Sequence, residues 1–101
     1  MVKEFKVVWT ETAYNQLRFI HSYIKLKSPQ GADKVLKEIV DTSTSLKYNP
    51  EIFSLDPFIK DKTKKIRSYT KHAYKVLYRI LKKEIHILRI RHTSRSPLKE
   101  I

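Results

Sequence analysis

The apolar residues of this chain switch between strand and helical spacing, and the switches decide what it can build. Ala13, Leu17, Ile20 and Ile24 recur at intervals of four, three and four, and Ala32, Leu36, Ile39, Ser43 and Leu46 continue at helical spacing. Each stripe covers one face, which predicts two amphipathic helices that bury one side each. Thr10 stands as N-cap of the first, with Glu11 in the first turn where a carboxylate suits the helix dipole. The first helix runs to about Lys27, and Ser28-Pro29 restarts the chain as cap and first helical residue. So short a break predicts a helical hairpin over 11–46.

On either side of the hairpin the pattern is that of strands. Residues 4–9, Glu-Phe-Lys-Val-Val-Trp, are β-branched and aromatic and predict a short strand. Asn49-Pro50 ends the second helix. Residues 49–63 form one irregular segment, with Phe53, Leu55 and Phe58 expected to pack back onto the body. Three strands follow over 64–69, 74–81 and 84–92, the last two joined through Lys82-Lys83 at hairpin spacing. The tail, 93–101, contains Pro97 and is expected to be irregular. The order β-α-α-β-β-β predicts one α+β domain over 1–101: a two-layer fold, with an antiparallel sheet carrying the helical hairpin on one face. The other face is expected to be open, and Leu17, Ile39 and Leu88 to share one core.

Composition removes whole classes of function. The 101 residues include no cysteine and one glycine. That excludes disulfide scaffolds, thiolate metal sites, cysteine nucleophiles and Gly-rich phosphate loops. No cofactor is implied. No stretch is apolar enough to span a membrane, and Met1-Val2-Lys3-Glu4-Phe5-Lys6 lacks the core of a signal peptide, so a cytoplasmic location is expected. The formal net charge is +12, and it is unevenly placed. Residues 1–58 hold 8 Lys or Arg against 7 Asp or Glu, whereas 59–101 hold 14 against 3. A field concentrated in one half attracts phosphate or an acidic protein segment.

Period-two alternation sorts the strand residues by face. Packing Ile66, Val76, Tyr78, Ile80, Leu88 and Ile90 on the helices leaves Arg67, Lys75, Arg79, Arg89 and Arg91 on the open face, with Arg95 in the tail beyond. Guanidinium groups so gathered suit bidentate contacts to phosphate or carboxylate, making these six the candidate target-binding residues. His92, where strand gives way to tail, is the most interesting of the four histidines, although a lone histidine is more often a structural hydrogen-bonding group than a catalyst. His21, His72 and His86 have no metal-ligand spacing, and Asp56 and Asp61 give no two-carboxylate signal.

An ordered set of segments resembles the RelE/ParE toxin superfamily. These are Val8-Trp9-Thr10-Glu11-Thr12-Ala13, Tyr23-Ile24, Ser28-Pro29-Gln30-Gly31-Ala32, Ile66-Arg67-Ser68, the run from Tyr74 to Tyr78, and the ending from Ile87 to Pro97. The resemblance implies the toxin half of a type II toxin–antitoxin pair, a plasmid stabilization system, neutralised by an acidic antitoxin in a hetero-oligomer. It implies one of two activities. RelE-like members cut mRNA on the ribosome without metal, and Arg67, Arg91, His92 and Lys75 are the candidates for that chemistry here. ParE-like members inhibit DNA gyrase. RelE-like endings commonly supply a tyrosine or histidine after the last strand, and this tail has no tyrosine. That departure favours the ParE-like reading. A plain basic nucleic-acid-binding module is the third possibility.

Overall fold

The computed structural model describes residues 4–101. Met1-Val2-Lys3, where the reading of the N-terminus begins, lies outside them. The elements are β1 (Lys6–Trp9), α1 (Glu11–Lys25), α2 (Pro29–Ser45), a 3-10 turn (Lys62–Lys64), β2 (Arg67–Lys71), β3 (Tyr74–Leu81) and β4 (Glu84–His92). The helices begin where their caps stand. Thr10 Oγ1 accepts from the Ala13 N–H at 3.2 Å, and also donates to the Ile87 carbonyl at 2.7 Å, so one side chain caps α1 and ties it to β4. Ser28 Oγ accepts from the Gly31 N–H at 3.0 Å. A Cβ at Gly31 would stand 2.8 Å from that same oxygen, which is why the single glycine sits there.

The sheet order is β1-β4-β3-β2. β2, β3 and β4 are antiparallel as expected, while β1 joins β4 in parallel, so the sheet is mixed. The reason is topological: the helical hairpin carries the chain away from β1, and the meander brings its last strand back beside it in the same direction.

The hairpin covers one sheet face. Leu17 and Ile20 of α1 and Ile39 of α2 pack with Leu46, Tyr69, Val76, Tyr78, Ile85, Ile87 and Ile90 in the main core. Tyr69 links β2 to α2. Its hydroxyl donates to the Ile39 carbonyl at 3.1 Å and lies 2.6 Å from Ser43 Oγ. Burial pushes its pKa up to about 12, which keeps it a donor.

Two strands differ from the expected facing. In β2, Tyr69 faces the helices and Ile66, just before the strand, faces away. In β4, Leu77 pairs with Arg89 but Tyr78 pairs with Ile87, so Leu88 is an extra residue in a bulge. The bulge shifts the phase: Ile85 and Ile87 face the helices, and Ile90 does so again beyond it. Gln16 Oε1 of α1 accepts from the Ile90 N–H at 2.8 Å beside the bulge. Leu88 therefore leaves the core of Leu17 and Ile39. It joins a second cluster with Ile59, Ile66, Leu77, Leu98 and Ile101. The second face is thus covered in part by the 55–66 segment and the tail, where an open face was expected. Phe53 packs back, stacked on Tyr69 with centroids 5.0 Å apart, whereas Leu55 and Phe58 remain exposed.

The β2–β3 turn consists of His72 and Ala73, with φ of 52° and 66°. Two left-handed residues match the twist of a two-residue hairpin, but each non-glycine there costs about 1–2 kcal/mol. Glu38 of α2 meets the His72 ring and helps hold the turn. Ala73→Gly is expected to stabilise the fold by about 0.5–1 kcal/mol, because relief of the strain outweighs the added freedom of the unfolded chain. Urea titration checks this: the midpoint should rise with the slope unchanged.

Candidate functional site

Asp56 organises the second face. It is 2% exposed. The Asp56-Pro57 turn directs its Oδ1 to the Phe58 and Ile59 N–H groups at 2.9 and 3.2 Å. Its Oδ2 accepts from Ser68 Oγ of β2 and from Lys75 Nζ of β3, both at 2.8 Å. Its own N–H donates to the Ile66 carbonyl at 2.7 Å. Burial alone would raise the Asp56 pKa. The Lys75, Ser68 and Phe58 donors outweigh it and hold the carboxyl below its ordinary value. The Lys75 ammonium also stands 4.7 Å over the Phe58 ring.

Beside this network a cleft of about 250 Å³ opens between the sheet and the tail. Leu77, Phe58, Pro97 and Leu98 give it apolar walls, and Arg91, His92 and Arg95 stand around it. Hydrogen bonds along its length hold the tail in place. Arg91 Nη2 donates to the Ser96 carbonyl at 3.0 Å. The Thr93 N–H donates to the Ala73 carbonyl at 2.8 Å, and the Arg95 N–H to the His92 carbonyl at 3.1 Å. At its end, Lys64 Nζ donates to the Ile101 carbonyl at 2.9 Å.

His92 is exposed, and its ring meets Tyr74 edge-on at 5.1 Å. Its Nδ1 accepts from the Ser94 N–H at 3.0 Å and lies 2.7 Å from Ser94 Oγ. A nitrogen that accepts from a backbone amide carries no proton, so the neutral ring holds its proton on Nε2. Nε2 is then the donor of the neutral ring.

The structure brings together four of the seven residues singled out in the sequence: Lys75, Arg91, His92 and Arg95 line the cleft. Arg79 and Arg89 share its sheet face by register but not its lining. Arg79 adds to the charge near Asp61, whose carboxyl is held low first by Thr63. Arg89 Nη1 turns to the Leu88 carbonyl at 2.8 Å. Arg67 stands apart. It pairs with Tyr78 on the helix side of the sheet and donates from Nη1 to the Phe53 carbonyl at 2.7 Å, clamping the 50–58 segment. Among the described residues, no group of three or more His, Asp or Glu comes together to hold a metal. From sequence, Asp56 is weighed only as half of a carboxylate pair with Asp61 and Phe58 only as a packing residue, and Ser68 has no role of its own. Asp56-Pro57 was the available signal, since Asp-Pro favours turn initiation.

The βααβββ order with a helical hairpin on one sheet face defines the architecture. Two solved structures share it. One, described as a chromosomal ParDE TA system from P. aeruginosa, is 24% identical, with a TM-score of 0.74, covering 89% of this chain and 97% of that one. The other, the toxin–antitoxin complex RelBE2 from Mycobacterium tuberculosis, is 22% identical, with a TM-score of 0.63, covering 91% of this chain and 94% of that one. No curated protein matches. Residues 7–97 match the family model described as ParE toxin of type II toxin-antitoxin system, parDE, and the chain belongs to that family. It is a type II toxin of the ParE/RelE superfamily.

Removing Asp56 should loosen the whole second face. Asp56→Ala is expected to cost about 3 kcal/mol, the lower end for breaking a buried pair, because Lys75 keeps some access to water. The folded pKa lies below the unfolded value, so the carboxylate's contribution is fully present above pH ~4 and is lost as pH falls through the folded pKa. Denaturant titrations at neutral pH and below pH 4 check both statements: the variant should differ from the parent less at the acid end.

Proposed function

We propose that this toxin arrests growth by binding a target, with DNA gyrase as that target, and that an acidic antitoxin segment neutralises it. Family membership supports gyrase. The protonation geometry of His92 carries the choice of binding over cleavage. Cleaving RNA through its 2′-hydroxyl needs one group to accept a proton and another to deliver one. The neutral His92 ring presents a donor at Nε2, because Nδ1 is taken by Ser94. Lys75 is committed to Asp56. Arg91 and Arg95 remain protonated and are poor proton shuttles. Arg67 lies on the other side of the sheet. What remains is a cationic surface able to hold carboxylate or phosphate without transforming it. Gyrase as target places the action in the cytoplasm.

The antitoxin reading draws support from the charge of residues 59–101 and from the structural neighbours, which are toxin–antitoxin complexes. Charge complementarity accelerates encounter more than it slows escape, and ordering a flexible segment uses part of the interaction energy. Association with an acidic antitoxin segment should therefore slow about tenfold or more between low and high salt, with dissociation changing less. Stopped-flow mixing measures both rates, and an association rate indifferent to salt would argue against the reading.

Induction in cells decides between the mechanisms. Gyrase inhibition with DNA-damage induction is expected, and it should survive His92→Ala. Codon-positioned mRNA cleavage that falls by about two orders of magnitude or more with His92→Ala or Arg67→Ala would instead establish the ribonuclease.

A further inference from the structure

The cleft beside His92 joins an apolar lining to a cationic rim, and the combination selects an occupant. Leu77, Leu98, Pro97 and Phe58 offer contact without hydrogen bonds, and about 250 Å³ has room for one leucine- or phenylalanine-sized side chain. Arg91 and Arg95 stand at the rim with the Nε2–H of His92. The Asp56 carboxylate, although it lines the cleft, is saturated by its own donors and adds no free negative charge. An apolar group alone would leave the rim cations unmatched, and a bare anion would leave the floor empty.

We propose that the cleft receives the apolar side chain of an acidic peptide segment, whose flanking carboxylates are held by Arg91, Arg95 and His92 Nε2–H. This rests on the reading of an acidic antitoxin and identifies where its anchor residue sits. A nucleotide fits less well. Only one face of Phe58 is left for a base, because the Lys75 ammonium covers the other, whereas an aliphatic side chain can also use Leu77, Pro97 and Leu98. The outer wall is the Thr93–Leu98 tail, so occupancy also fixes that segment.

The test uses the full chain, labelled with nitrogen-15, and three probes: the capped pentapeptide Asp-Glu-Leu-Glu-Asp, its Leu-to-Ala version, and pentauridylate. The leucine peptide should shift the amides of Leu77 and of residues 93–96 and 98. Affinity should fall about tenfold for the alanine peptide, from loss of the buried side chain. It should fall by a similar factor for Arg95→Glu, an exposed change whose folding circular dichroism checks. Leu98→Trp, which fills the cleft, should block the peptide while leaving the shifts of the main core in place. No shifts at millimolar peptide, shifts mapping elsewhere, equal affinity for both peptides, or tighter binding of pentauridylate would each overturn the proposal. The antitoxin reading is tested separately by the salt dependence of association, so shifts mapping elsewhere overturn the cleft assignment and leave that reading standing.

Discussion

Taking the Asp56 carboxylate out of water costs several kcal/mol, and a single ammonium partner would not offset that cost. Four donors surround it: two backbone N–H groups of its own turn, a hydroxyl from β2 and the ammonium of Lys75 on β3. The arrangement pins the irregular 50–66 segment across two strands. Ile59 and Ile66 are thereby set over Leu77, and Leu98 and Ile101 of the tail complete the cluster. Without that pin the second sheet face would be a row of cations around exposed leucine and isoleucine. With it, the sheet is packed by helices on one side and covered in part by two irregular segments on the other.

The same network sorts the cations by what they can still do. Lys75 is neutralised, Arg67 is turned to the helix side as a clamp on the Phe53 carbonyl, and Arg91 spends one nitrogen on holding the tail. Arg95 keeps its exposed position at the cleft, and the field of a strongly basic half-chain remains to draw acidic partners. A dense cluster of basic residues in sequence thus becomes partly scaffold and partly binding surface.

Both helices and their hairpin were legible because their signals are local: Thr10 and Ser28-Pro29 mark the starts, and the stripes mark the buried faces. The hairpin of β3 and β4 was legible from Lys82-Lys83, and Lys82 takes the left-handed conformation that the turn needs. The start of β2 was not. Asp61 caps a 3-10 turn and Lys65 adopts a left-handed conformation, so the strand begins at Arg67. β2 keeps its alternation, but its register with β3 puts Arg67 and Tyr69, not Ile66, on the helix side, and the facing of β4 was lost for a different reason. One inserted residue at Leu88 reverses the alternation, and only the partner strand reveals it. Asp56 was missed because its partners Ser68 and Lys75 lie 12 and 19 residues away. The six basic residues can be named from sequence, but which of them meet at the cleft follows from tertiary packing.

A binding mechanism stands or falls on which nitrogen of His92 holds the proton. The Ser94 amide fixes Nδ1 as acceptor, which leaves the proton on Nε2 and no base beside Arg91 and Arg95. Long-range proton–nitrogen correlation spectra of the imidazole, taken on the full chain at a pH where His92 is neutral, report the tautomer directly. The expected result is a protonated Nε2 and a bare Nδ1, with the Ser94→Pro variant, which lacks the amide proton, losing the preference. A protonated Nδ1 with a bare Nε2 would give the cleft the general base that this account denies it.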